Sequence, residues 1–292
     1  MVFFCDTNCE LNYKIAESVG ITNIIRMPYT LDGVEKFYDL GKDHNAKAFF
    51  DALRDGQTAI TSALNPADYT EYFEPFFKAG EDIFYISFSS EMSGTFKYMD
   101  TAVKELKEKY PKASFTRYDT KGISLAAGVP VWAAAKAFAE GKTVNEVIRL
   151  LDSLCPRMNA LLVADDLNYL KRGGRLSSAQ AFFGSILKIK PIIKLTNKGT
   201  LEVFEKVSGA NKAYLQITQE LVASVSDLDD YPVCILTADN DEAREILVEE
   251  LRELLPKANL WVYDVGPVIG THCGPGTVAV VFVGDERPRA TV

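Results

Sequence analysis

In its first half the chain alternates short apolar or β-branched runs with amphipathic stretches of helical period, and this alternation restricts the fold more than any other feature. Strand-like runs stand at residues 2–5, 23–26, 58–61, 83–88 and 115–118, and helical patterns follow at 11–19, 46–53, 66–78, 95–110 and 123–140. Such a sequence predicts an α/β fold with a mostly parallel sheet covered by helices. The second half changes character. A T-x-x-E capping box at Thr143 and Glu146 opens a helix over 143–154, and a strand over 160–164 follows. Runs at 191–195 and 201–207, joined by T-N-K-G-T with Gly199 at the turn, predict an antiparallel hairpin. Helices over 212–225 and 242–254 and strands over 233–237, 260–263 and 278–283 complete a second α/β unit with a mixed sheet. A chain of 292 residues is longer than one typical core requires, and Pro156 stops a helix before a new strand. The expected domains are residues 1–155 and 156–292.

Composition narrows the function. Net charge is -8, yet residues 171–201 hold seven Lys or Arg and no Asp or Glu, so something negative is expected to meet that face. The pI near 5 argues against nucleic acid as a partner. No apolar run approaches the ~20 residues of a membrane span, and the N-terminus lacks the basic region and cleavage site of a signal peptide. The reading is a soluble cytoplasmic protein without stable membrane insertion. Five cysteines, with no C-x-x-C and no zinc spacing, predict small buried reduced thiols and no metal site. Inside the basic run, Gly173 and Gly174 allow a sharp turn. Ser177 or Ser178 could then cap a helix carrying Ala181, Phe182, Ile186 and Ile189.

Three loops rich in hydroxyls and amides follow predicted strands: Asp6-Thr7-Asn8, Thr61-Ser62 through Asn65, and Ser89 through Ser93-Gly94-Thr95. Loops at the carboxyl ends of parallel strands form ligand sites, and free helix N-termini there favour a carboxylate or phosphate. Taken singly, Asp6, Asn65, Ser89 and Ser93 read as helix caps. A nucleophile elbow would need glycine where Glu91 and Thr95 stand. Gly141-Lys142-Thr143 reads as a helix stop followed by a cap, and no G-x-G-x-x-G supports a dinucleotide. Of two histidines, His44 lies in a polar stretch and reads as solvated. His272 lies in T-H-C-G-P-G-T, whose glycines permit close approach of a ligand or neighbouring loop, with Cys273 beside it as a buried thiol.

D-T-N-C-E-L at 6–11, T-S-A-L-N-P at 61–66, M-S-G-T at 92–95, L-K-R-G-G-R-L-S at 170–177, I-K-P-I-I at 189–193 and H-C-G-P-G at 272–276 together resemble the DegV family. K-R-G-G-R with I-K-P is the specific element. The resemblance implies two α/β domains with a long-chain fatty acid at their interface. The carboxylate would be bound by Thr61, Ser62, Ser93, Gly94 and His272, and the acyl chain would enter an apolar tunnel for which Phe88, Met92, Phe96, Phe182 and Ile186 are candidates. Family members serve in many bacteria as the FakB subunit of fatty acid kinase, which links them to phospholipid metabolism. By that resemblance Lys171, Arg172 and Arg175 would help dock the kinase catalytic subunit, and this chain would present substrate without catalysis or cofactor of its own. Asn8, Leu64 and Asn65 depart from the family pattern and bear on ligand choice. A self-sufficient enzyme acting on a small carboxylate or phosphorylated metabolite, and a lipid-responsive regulator, are the alternatives.

Overall fold

The computed structural model describes residues 1–176 and 189–291. Ser177, Ser178, Ala181, Phe182 and Ile186 therefore lie outside the described residues.

Four parallel strands form the first sheet in the order β2 (Asn23–Ile25), β1 (Val2–Asp6), β6 (Ile83–Ser87) and β7 (Phe115–Asp119). Every residue of β6 is buried, as expected of a central strand covered on both faces. Helices α1 (Tyr13–Ser18), α3 (Pro66–Ala79), α4 (Thr95–Lys109) and α5 (Leu125–Ala139) follow these strands or precede them in alternation, close to the predicted bounds. The expectation fails at residues 58–61. β5 (Ala59–Thr61) is not in the parallel sheet; it pairs antiparallel with β3 (Pro28–Leu31), which also pairs with β4 (Val34–Phe37). The β3–β4 turn is at Asp32-Gly33, both in the left-handed region, a hairpin signal that the sequence reading passed over. Helix α2 (Ala46–Arg54) connects β4 to β5.

The capping box at Thr143 opens α6 (Val144–Leu154), and a short turn at Cys155-Pro156-Arg157 leads into β8 (Met158–Val163). The second sheet is mixed, in the order β10 (Leu201–Ser208), β9 (Ile189–Leu195), β8, β13 (Val278–Val283), β11 (Val233–Thr237) and β12 (Leu260–Asp264). The predicted hairpin is present, with Gly199 at φ 87. Its tip reaches the first half, where the Ser89 hydroxyl donates to the Gly199 carbonyl at 2.8 Å. Helices α8 (Ala210–Ser224) and α9 (Asp241–Leu254) cover the outer face. Among the described residues of this half, α7 (Leu167–Gly173) and α10 (Pro267–Cys273) were not foreseen.

Period-two alternation divides the second sheet's side chains. Leu161, Val163, Val278, Val280, Phe282 and Ile235 pack under α8 and α9. Their neighbours Ala160, Leu162, Ala279 and Leu236 turn inward, and the pairs Val281–Ala160, Ala279–Leu162 and Leu236–Ala279 confirm one shared face. Helix α5, apolar nearly all round, packs against β8 and β13 and so joins the two sheets in one continuous core. Helix α10 packs against α2, β3 and β5 of the first half.

Candidate functional site

Between the inward face of the second sheet and the carboxyl end of the first lies a cavity that opens partly to solvent. Its walls are mainly apolar: Phe88 and Met92 from the first half, and Ala160, Leu162, Leu236, Ala279 and Val281 from the second sheet. Ala160 and Ala279 alternate with larger residues on that face, and their small side chains leave the space open. Val265, Val268 and Ile269 close one side from the β12–α10 connection and α10.

Polar groups enter this wall at Thr61, Ser62, Ser93, Thr95, Arg175 and His272, with Asn8, Ser124 and Thr277 elsewhere along it. His272 Nε2 lies 2.8 Å from Thr61 Oγ1. His272 is not in a glycine loop, as the sequence suggests, but in the last turn of α10, which Gly274 ends at φ 75. Its Nδ1 is buried and has no hydrogen-bond partner. Burial first, then the nearby Arg175 and Arg172, push the imidazole down to about 4, so it is neutral at pH 7. A neutral imidazole can donate one hydrogen bond to an anion and becomes a stronger donor if that anion's charge draws in a proton.

The K-R-G-G-R segment is explained by what it touches. Lys171 and Arg172 are in the last turn of α7, and Gly174 ends that helix at φ 68. Gly173 has a different duty: a Cβ there would stand 2.4 Å from His272 Nδ1. On the same pair of helices the Tyr169 ring fills the place of a side chain at Gly274, and the Arg172 guanidinium stacks 4.9 Å over that ring. The two glycine motifs thus exist to let α7 and α10 meet with His272 between them. Arg175, grouped with the docking residues on sequence, is half-buried in the cavity wall. Its Nε donates to the Met92 carbonyl at 3.0 Å and its guanidinium also donates to the Gly173 carbonyl. Burial holds its pKa below the usual value. Lys171 and Arg172 are exposed.

Ser93 lies just ahead of α4, whose N-cap, Gly94, has no side-chain cap. The Ser93 hydroxyl accepts from Thr95 N at 3.2 Å, and the Thr95 hydroxyl is 2.7 Å from that of Tyr69. Ser93 thus caps the first N–H of α4 and sets the start of that helix against the cavity wall. Gly94 itself is exposed.

Several expectations need correction. Phe96 is buried behind the wall, its ring centroid 5.0 Å from that of Phe88 and 4.5 Å beneath the Arg117 guanidinium. The first loop contributes Asn8 alone. Asp6 is fully buried as a structural cap, accepting from Tyr85 Oη at 2.8 Å and from the N–H groups of Asn8 and Phe88 at 2.9 and 3.3 Å. Burial pushes it up to about 7. Asn65 caps α3 and Ser89 caps the turn at 90–92, as read. His44 is not solvated: the rings of Tyr29, Tyr38 and Phe49 surround it with centroids 6.2, 5.6 and 5.9 Å away, and burial pushes it down to about 4.

Two features escaped the sequence reading altogether. Glu10 is buried and bridges the halves, accepting from Gly266 N at 2.5 Å and from the Ser124 hydroxyl. Burial pushes it up to about 8, so it is mostly protonated at pH 7. Ser124 takes φ 53 and ψ −140, a conformation costly for a residue with a Cβ. The five cysteines are buried free thiols, and Cys273 is pushed up to about 12 by burial. Its thiol is thus protonated and unsuited to nucleophilic attack. Among the described residues no group of His, Cys, Asp and Glu could hold a metal ion, and no helix is long and apolar enough to cross a membrane.

Comparison with known proteins agrees with this architecture. A DegV domain-containing protein of Clostridium perfringens is 34% identical over 286 residues, 98% of each chain. The fatty acid binding DegV family protein of Streptococcus agalactiae superposes with a TM-score of 0.82 at 25% identity, covering 98% of this chain and 99% of its own. DegV of Bacillus subtilis, a fatty acid binding protein, superposes with a TM-score of 0.79 at 26% identity over 97% of this chain and 99% of its own. The DegV family model, described as "Uncharacterised protein, DegV family", matches residues 3–285. With the match running nearly from end to end, the chain belongs to the DegV family.

Proposed function

We propose that this protein binds one long-chain fatty acid, with the carboxylate at the cavity mouth among Thr61, Ser62, Ser93 and His272 and the acyl chain against the inward face of the second sheet. The observation that carries this reading is the pairing of a mainly apolar cavity with a polar mouth at which a neutral, half-satisfied imidazole meets a hydroxyl. Burying a carboxylate is costly unless several donors meet it, and the three hydroxyls and the imidazole supply them. Each buried CH₂ contributes roughly 0.8 kcal/mol, so the chain provides most of the affinity and the mouth sets the direction. The S. agalactiae and B. subtilis relatives, both fatty acid binding, support the ligand class.

On this reading residues 1–155 and 156–292 act as two domains clamped on the ligand, and the protein works in the cytoplasm as a carrier without activity of its own. The exposed end of α7, with Lys171 and Arg172, would meet a separate kinase subunit that phosphorylates the bound carboxylate to an acyl phosphate. The mouth lies beside that helix end, since Gly173 touches His272. Binding of palmitate and oleate to the wild type and to Ser93→Ala and His272→Ala tests the head-group site. Weakened binding by both folded variants is expected; wild-type affinity in both would refute the site.

A further inference from the structure

Asn8 does not fit a cavity made for a plain hydrocarbon. It is 6% exposed and lines the cavity, and its Oδ1 is buried without a hydrogen-bond partner. Its main chain is fully engaged: Asn8 N donates to Asp6 Oδ1 at 2.9 Å, and Asn8 O accepts from Ser124 N at 3.0 Å. The side chain is therefore not needed to hold the loop, while leaving an acceptor unmet in an apolar wall carries a penalty. Ser124, also in the wall, is engaged with the buried Glu10 carboxyl and makes no hydrogen bond to Asn8 Oδ1. A saturated or unsaturated acyl chain offers Asn8 Oδ1 no donor.

We infer that Asn8 is a specificity residue that accepts a hydrogen bond from a hydroxyl on the acyl chain, so that the preferred ligand is a hydroxylated long-chain fatty acid. This rests on the fatty acid reading above. The carboxylate fixes the ligand at the mouth, and the position of Asn8 along the wall then selects one hydroxyl position over others. An alkyl chain would instead strand the amide.

The test uses stearate and a set of mid-chain hydroxystearates differing only in hydroxyl position, titrated into the delipidated full-length protein and into Asn8→Leu and Asn8→Ala. The engaged backbone of residue 8 predicts that at least the alanine variant folds. The wild type is expected to favour one hydroxyl isomer over stearate by roughly 3- to 10-fold, the worth of one buried hydrogen bond. Both variants lose that preference, and Asn8→Leu binds stearate at least as tightly as the wild type. If stearate binds and no isomer gains over it, or if the preference survives in the variants, the role assigned to Asn8 is wrong. If neither stearate nor any hydroxystearate binds, the fatty acid reading itself falls.

Discussion

Gly173 and His272 are in contact through the absence of a side chain: a Cβ at position 173 would lie 2.4 Å from the imidazole Nδ1. The imidazole keeps its place beside Thr61 because the neighbouring helix ends in glycine. Gly173→Ala should push the ring out of line while leaving the left-handed turn at Gly174 intact. Loss of a charge-assisted hydrogen bond is worth ~1.5–3 kcal/mol, so fatty acid affinity is expected to fall roughly 10- to 100-fold, close to the effect of His272→Ala. Titration with a fluorescent fatty acid measures both. Equal binding by Gly173→Ala and the wild type would show that the imidazole does not hold the carboxylate.

Ala160 and Ala279 make room on the inward face of the second sheet. Ala160→Leu should shorten the usable tunnel. Affinity for an eighteen-carbon acid then falls by roughly tenfold or more, as two or more methylenes at ~0.8 kcal/mol each lose their place. A twelve-carbon acid should be affected less. Competition binding across a chain-length series reads the shift, and an unchanged preference would move the acyl chain elsewhere.

The buried Glu10 makes stability depend on pH in a definite direction. Its folded-state pKa, about 8, lies above its ordinary value of 4.5. Below pH 4.5 the acid is protonated whether folded or not. As pH rises to about 8 the unfolded chain releases a proton that the folded chain keeps, so stability is lost through that window and the slope vanishes above it. Glu10→Gln, which can still accept from Gly266 N, should lack this term. The stability difference between variant and wild type, from urea denaturation at several pH values, should grow in the variant's favour from pH 4.5 to 8. A constant difference would mean that the acid is not protonated in the folded protein.

Lys171 and Arg172 face outward where Arg175 does not. Charge reversal of Lys171 and Arg172 should cut acyl phosphate formation in the presence of the kinase subunit by roughly tenfold or more, since charged interface residues govern docking, while fatty acid binding changes little. Unchanged turnover would remove this face from the docking surface.

The strand-helix alternation in the first half and the mixed character of the second were legible because the central strands, such as β6 and β13, are nearly unbroken apolar runs between amphipathic helices. The site was legible in part. Thr61, Ser93 and His272 stood out through short motifs, but their supports did not. Helix α10 contains glycine and β-branched residues and spans seven positions, too few for a helical pattern to rise above a loop reading. β5 pairs with the free edge of β3, the first strand of the hairpin that turns at Asp32-Gly33, and that long-range pairing leaves no local mark in the sequence. The cavity walls were invisible for a simpler reason: Ala160, Leu162 and Val281 are ordinary strand residues, and nothing in a single strand tells an inward face that meets a ligand from one that meets a helix. Glu10 and Asn8 look polar in sequence, and only the fold buries them.

A fatty acid in the cavity is the central expectation for this protein. Denaturing the purified full-length protein, extracting it with organic solvent and quantifying the released lipid by mass spectrometry tests this most directly. About one long-chain fatty acid per chain is the predicted result, or, if the protein is isolated empty, saturable uptake of one added oleate or palmitate per chain. An extract free of fatty acid, from a folded protein that also takes up neither, would contradict it.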